Sequence, residues 1–351
     1  MDIKELLKEV VEKGASDIFI VAGSSCAIKI DGKIVKYNEE RLMPQDTETM
    51  IRDIYQLAGN DHFEQFLLSG DDDFSFSIPQ VGRFRVNAYR QRNSCAAVLR
   101  IVRFQLPDPN EMHIPKVICD LAMQKKGMVL VTGPAGSGKS TTLACIIDQI
   151  NQNRNTHIIT IEDPIEYLHS HNKSIVSQRE VFHDTENYVS ALRAALREAP
   201  EVILVGEMRD LETIDIAITA AETGHLIFSS LHTVGSANTI DRMIDVFPPA
   251  SQQQVRVQLA MVLNAVISQQ LLPGIDGKMI PAFEIMICNQ AIRTLIRDGK
   301  THQIDNTISN SRQLGMITMD EAIIELYKQN KITKETAIMY AVNPKMIERR
   351  L

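Results

Sequence analysis

A chain of 351 residues, 44% hydrophobic and 23% charged, has the composition of a soluble globular protein long enough for two domains. Its formal net charge of −7 argues against nucleic acid as a main partner, because phosphate backbones select basic surfaces. No apolar run reaches the roughly 18 residues that span a bilayer. The five scattered cysteines contain no CxxC pair, which excludes a disulfide framework and a structural zinc site.

In chain order, MDIKELLKEVVEKG reads as an acidic amphipathic helix rather than a signal peptide, and predicts a cytoplasmic location. Residues 17–21 and 27–30 read as strands, with a turn at Asp31-Gly32, and residues 47–68 read as helix. Strand alternation resumes at 74–78 and 82–89. In GRFRVNAYRQR (82–92), Arg83 and Arg85 share one strand face and Phe84 and Val86 the other, with Arg90 and Arg92 following. Arginines on a strand face are ordinarily just solvated; their sharper reading is as fingers reaching a neighbour's γ-phosphate. LPDPN (106–110) opposes helix and sheet and reads as a linker. Beyond it, apolar strands at 128–132, 157–161, 202–205 and 226–231 alternate with helices, the signature of a parallel sheet covered on both faces. Helices follow at 290–298, 318–329 and 334–341. The expected division is 1–105, a linker at 106–113, a core at 114–287 and a helical region at 288–351.

GPAGSGKSTT (133–142) sits between the strand 128–132 and a helix over 143–150, the setting that a phosphate-binding loop requires. Gly133, Pro134, Ala135, Gly136, Ser137, Gly138, Lys139, Ser140 and Thr141 would form the cradle. The glycines let the backbone turn its N–H groups onto phosphate, Lys139 adds a point charge, and the Ser140 hydroxyl suits Mg²⁺. In such a sheet ligands bind at the carboxyl ends of the strands. Glu162 and Glu207 fall there. Many P-loop enzymes place a magnesium-side Asp where this chain has Gly206, so that duty passes to Glu207. Glu162 is then left to orient and deprotonate water, a role worth about 10²–10⁴ in rate. A lone strand-end acid would be read as solvated or as a helix cap; two such acids in one P-loop sheet favour function. His225 and His232 flank the strand 226–231, and their odd separation places one beyond a strand end. Arg193 and Arg197, four apart on one helix face, and Arg209, just after Glu207, would sense phosphate or pair with acids.

Four ordered motifs now stand together: GPAGSGKSTT, ITIEDPIEY (159–167), ILVGEMRD (203–210) and ETGHLIFSSLHT (222–233). The chain resembles the secretion-type motor ATPases along essentially its whole length, and within them the type IV pilus retraction ATPases. The resemblance implies an N-terminal PAS-like α+β domain and a C-terminal RecA-like ATPase domain. It makes Glu162 the catalytic glutamate, Glu207 the magnesium-side acid, and His225 with His232 a pair near the nucleotide. It places arginines of the segment containing Arg83, Arg85 and Arg90 in an adjacent subunit's site. It further implies ATP and Mg²⁺, a homohexameric ring, and docking on the cytoplasmic face of an inner-membrane platform protein, with other pilus motor ATPases as partners.

Extension and secretion members are typically longer and carry a four-cysteine metal site, which this chain lacks. AIRTLIRDGKTHQI (291–304) is similar to the retraction family's AIRNLIREGK, departing at Thr294 and Asp298. Further departures are REAPEV (197–202), Ile18-Phe19-Ile20 after Asp17, and Ser25-Cys26. None falls on a candidate catalytic residue. Alternatives are an accessory retraction or an assembly/secretion ATPase, a RecA-like nucleic-acid motor, which the acidic balance opposes, and a non-catalytic ATP-binding subunit, which would need no base.

Overall fold

The structure, a computed structural model, describes residues 2–30, 32–102 and 106–351. Asp31, half of the expected turn at 31–32, and residues 103–105 at the expected end of the first domain lie outside the described residues. Backbone contacts divide the chain into two compact units, Met1–Gln105 with Glu166–Leu168, and Leu106–Ile165 with His169–Leu351.

The first unit is built on an antiparallel sheet. Its strands are β1 (Asp17–Ile20), β2 (Ser25–Ile30), β3 (Lys33–Arg41), β4 (Asp71–Ile78), β5 (Gly82–Gln91) and β6 (Ser94–Val102), in the order β3-β2-β1-β6-β5-β4. Helices α1 (Ile3–Glu12), α2 (Pro44–Ala58) and α3 (Phe63–Ser69) share its core, in which Leu6, Leu7, Ile54 and Tyr55 meet Ile18, Phe84, Val86 and Leu99. The helix expected over 47–68 is two helices, because Gly59 takes a left-handed conformation and closes α2. On β5 the alternation is as expected: Phe84 and Val86 are fully buried while Arg83 and Arg85 are half-buried on the other face.

The second unit carries a seven-stranded sheet. Its strands are β7 (Gly127–Thr132), β8 (His157–Glu162), β9 (Ile175–Glu180), β10 (Val202–Val205), β11 (Leu226–Leu231), β12 (Leu263–Pro273) and β13 (Met279–Ile287), ordered β13-β12-β7-β11-β10-β8-β9. All neighbours are parallel except the β12–β13 pair. The helices are α4 (Lys116–Cys119), α5 (Lys139–Asn153), α6 (Tyr188–Ala195), α7 (Leu211–Glu222), α8 (Ser236–Asp245), α9 (Pro249–Val262), α10 (Gln290–Arg297), α11 (Ile304–Ser309), α12 (Met319–Lys328), α13 (Lys334–Tyr340) and α14 (Pro344–Arg350).

The continuous apolar runs of the central strands serve two cores. Met128, Leu130, Ile203 and Ile227 face α6 to α10, while Val129, Val131, Leu204 and Phe228 face α4 and α5. Five strands go beyond those read from the sequence: β3 and β6 in the first unit, and β9, β12 and β13 in the second. Cysteines 26, 95, 145 and 288 are buried, Cys119 is half-buried, and all five are free thiols. Among the described residues no helix is long and apolar enough to cross a membrane.

Candidate active site

The loop 133–138 leaves the carboxyl end of β7 and enters α5 through Gly138. Gly133 takes φ 142°, and a Cβ there would lie 2.2 Å from Gln269 O on β12. Only glycine admits that approach. Gly138, at φ 88°, packs against the same residue: a Cβ would meet Gln269 Nε2 at 2.9 Å. Gln269 in turn accepts from Thr142 Oγ1 at 2.8 Å, so one buried side chain ties β12 to the first turn of α5. Pro134, Ala135, Gly136 and Ser140 are exposed at the loop, and Thr141 is half-buried. Lys139 is 8% exposed, and its Nζ donates to Gly133 O and Pro134 O at 3.0 Å each, holding the loop curled. The hydroxyl of Ser137 is buried without a hydrogen-bond partner among the described residues. An orphaned donor beside a helix N-terminus with no acid in its first turn is what an anion site presents.

Two acids stand at the neighbouring strand ends. Glu162 closes β8, and two donors converge on its Oε1: Thr160 Oγ1 at 2.6 Å, from the same strand face, and Gln178 Nε2 on β9 at 3.2 Å. Glu207 follows β10 after Gly206, whose N–H donates to Ile161 O at 2.8 Å and whose carbonyl accepts from Ser230 Oγ at 2.7 Å. The Glu207 side chain is 14% exposed, with Arg209 Nε 2.5 Å from Oε1 and His232 Nε2 3.2 Å from Oε2.

Tyr188, at the start of α6, is a residue that pattern reading missed. A Cβ on Gly206 would come within 3.1 Å of its hydroxyl and 3.3 Å of Glu162 Cα, so glycine there makes room for the phenol beside the acids. Burial raises the Tyr188 hydroxyl above its ordinary value, and the charges of Glu207, Asp163 and Glu162 add to the rise, so it stays protonated. A tyrosine spaced from the motifs carries no signal of this placement; only the fold brings it there.

The two histidines are not brought together. His232 lies just past the carboxyl end of β11 on Glu207, whereas His225 precedes the strand, its Nδ1 2.9 Å from Ala220 O. Seven residues of extended chain, at about 3.3 Å each, put them roughly 20 Å apart. Because β11 runs parallel to β7, His232 sits at the edge of the sheet that carries the loop, and His225 at the opposite edge. Both lie just outside β11, as residues that flank the strand 226–231 must. Arg193 pairs with Glu212 at 2.6 Å, and α6 ends at Ala195, so Arg197 does not share its helix face. In the first unit, Arg90 Nη1 donates to Leu67 O at 3.0 Å. Arg85 lies directly across from Arg100, itself bonded to Asp17 at 3.1 Å.

Hard oxygen donors are the right kind for magnesium, which keeps waters and substrate phosphates as most of its ligands. The exposed Ser140 hydroxyl and the Glu207 carboxylate are donors of that kind. Among the described residues no cluster of three or more His, Cys, Asp or Glu side chains is placed to hold a metal. Beside Gly138, Thr141 and Thr142 opens a cavity of about 740 Å³, whose walls include Leu271, Ile280 and Pro281. That volume is within the range of small-molecule sites.

A parallel sheet with a phosphate loop after β7 and acids after β8 and β10 defines a P-loop ATPase of RecA-like build. The chain belongs to the family described as type II/IV secretion system protein, whose model matches residues 1–349. It is similar to the type IV pilus retraction ATPase PilT of Pseudomonas aeruginosa, 46% identical over 337 residues that cover 96% of this chain and 97% of that one. It is 39% identical to the type IV pilus ATPase PilU of the same organism over 343 residues, 97% and 91% of the two chains. The crystal structure of the pilus retraction motor PilT with bound ADP matches with a TM-score of 0.90 at 47% identity, over 99% of both chains.

Proposed function

We propose that this chain is a motor ATPase that hydrolyses Mg-ATP to retract a type IV pilus by returning pilin to the membrane. The observation that carries the reading is the pair of acids, Glu162 and Glu207, at adjacent strand ends beside a complete phosphate loop.

In this reading the nucleotide enters with its phosphates over Gly133 to Thr141 and its base in the cavity beside Thr142. Lys139 moves from the loop carbonyls onto phosphate oxygens, and the N–H groups at the start of α5 take the remaining charge. Ser140 and Glu207 would hold the magnesium, directly or through water, and the ion would supply charge neutralisation at the phosphates. Glu162, steadied at Oε1 by Thr160 and Gln178, orients the attacking water and takes its proton. His232 fixes the Glu207 carboxylate. The segments 1–105, 114–287 and 288–351 are the functional divisions, with 106–113 as the connection between the first two.

The arginines belong to a ring. Arg83 and Arg85 stand half-buried on one face of β5, with Arg85 opposite Arg100, whose charge Asp17 meets at 3.1 Å. We assign this face to the nucleotide of an adjacent subunit in a homohexamer. Arg90, already committed to a backbone carbonyl, is the weaker candidate. The ring would sit on the cytoplasmic side of the inner membrane, against a pilus platform protein.

Surface pili counted in cells in which Glu162→Gln replaces the native chain test the function. More pili with lost motility is the expected result; bald cells would mean that the motor assembles pili. The likeness to PilU favours one competing reading, an accessory retraction ATPase. That reading expects retraction to persist without this chain whenever a second retraction motor is present.

A further inference from the structure

The carboxylate assigned to the metal has both oxygens engaged. Arg209 Nε lies 2.5 Å from Oε1, and His232 Nε2 lies 3.2 Å from Oε2. The three side chains differ in freedom. Glu207 is 14% exposed and its backbone is pinned: the Gly206 amide donates to Ile161 O at 2.8 Å and the Met208 amide to Ser230 O at 3.2 Å. The Arg209 side chain is 72% exposed, and Glu207 is its one ionic partner among the described residues. The acid next to it in sequence, Asp210, caps α7, accepting from Thr213 N at 2.9 Å and Thr213 Oγ1 at 2.8 Å. An oxygen that holds a guanidinium at contact distance cannot at the same time give those lone pairs to a hard dication or its water shell.

We propose that Arg209 is the group magnesium displaces. It neutralises Glu207 before the metal arrives and leaves Oε1 when nucleotide brings the ion, while His232 keeps the carboxylate oriented through Oε2. Asp210 is already satisfied and does not recapture the released guanidinium. The released arginine is then free for a phosphate oxygen or another anionic group. Arg209 thus acts as a positioning residue that couples metal arrival to the appearance of a new cation at the site. The proposal rests on the reading of Glu207 as the magnesium-side acid.

The test is a magnesium titration of fluorescent ADP binding by the full chain, read as the magnesium concentration at half-maximal effect. Arg209→Ala should lower that midpoint about three- to tenfold, the range expected when a largely exposed charge-assisted bond no longer competes. Arg209→Lys should fall between, since a hydrated ammonium lacks the guanidinium's geometry on carboxylate. A midpoint that is unchanged or raised in Arg209→Ala overturns the exchange. Glu207→Gln separates the two levels of the argument. If it weakens the magnesium response while Arg209→Ala shifts nothing, Glu207 remains the metal-side acid and only the exchange fails. If Glu207→Gln leaves the midpoint where the native chain has it, the metal-side reading fails and the exchange with it.

Discussion

The two edges of the seven-stranded sheet are made from the same kinds of residue and put them to opposite uses. At the amino edge, polar side chains close the protein's own backbone. Glu201 accepts from Thr156 Oγ1 at 2.6 Å and His157 N at 2.8 Å, and His225 turns its ring onto Ala220 O. At the carboxyl edge, Ser140 is exposed, the Ser137 hydroxyl has no hydrogen-bond partner among the described residues, and two acids stand at or just past the ends of β8 and β10. An edge that satisfies itself is scaffold. One that withholds its donors, and spends glycines to do so, is a binding surface.

Crowding the carboxyl edge gives the largest expected effect on this contrast. Gly133→Ala would place a methyl 2.2 Å from a backbone carbonyl of β12, with a left-handed conformation in addition. The expected cost is about 3 kcal/mol or more of stability together with loss of nucleotide binding. Chemical denaturation and ADP titration read both, and a stable, nucleotide-binding Gly133→Ala protein would break the comparison. Gly224, at the amino edge, has open space around its Cβ position, although its φ of 111° also disfavours a side chain. Gly224→Ala should lose stability but keep nucleotide affinity.

The histidines sharpen the contrast at smaller scale. His225→Ala removes the side-chain contact to Ala220 O and should cost about 1 kcal/mol in denaturant, with ADP affinity unchanged. His232→Ala frees Glu207 Oε2 and should alter the magnesium dependence of ADP binding while leaving stability nearly constant. The reverse pattern would place the functional histidine at the wrong edge.

The smallest effect is a pH dependence. Hydrogen bonds from Thr156 and the His157 amide hold the Glu201 carboxyl below its ordinary value. A depressed carboxylate contributes stability that is present above its unfolded pKa, about 4.3, and is lost as pH falls through the lower folded value. Glu201→Gln should therefore flatten the acid limb of a melting-temperature profile below about pH 4.5, with no change in ADP binding at neutral pH. Parallel profiles for the two proteins would remove Glu201 from this role.

Much of the carboxyl edge was legible because its signals are local. Glycine spacing, a continuous apolar strand and a following helix fall within some 25 residues, and each acid lies at or one residue past the end of an apolar run. The strands that escaped lack such signals. β9 (IVSQRE) is an edge strand with a polar half, and β12 begins at Leu263, immediately after α9 ends at Val262, with no glycine or proline between them. The partners that tune the site are also long-range: Gln269 reaches Thr142 across 127 residues of sequence, and Tyr188 meets Gly206 only through the docking of α6. The edge that His225 occupies is legible as well, since in a parallel sheet the residue before a strand lies at the edge opposite the loops.

The central claim is a division of labour, with Glu162 for water and Glu207 for metal. Turnover and Mg-ATP affinity measured side by side for Glu162→Gln test it most directly. The account predicts native Mg-ATP affinity with turnover lower by about 10²–10⁴. Hydrolysis near the native rate, or affinity lost along with turnover, would contradict it.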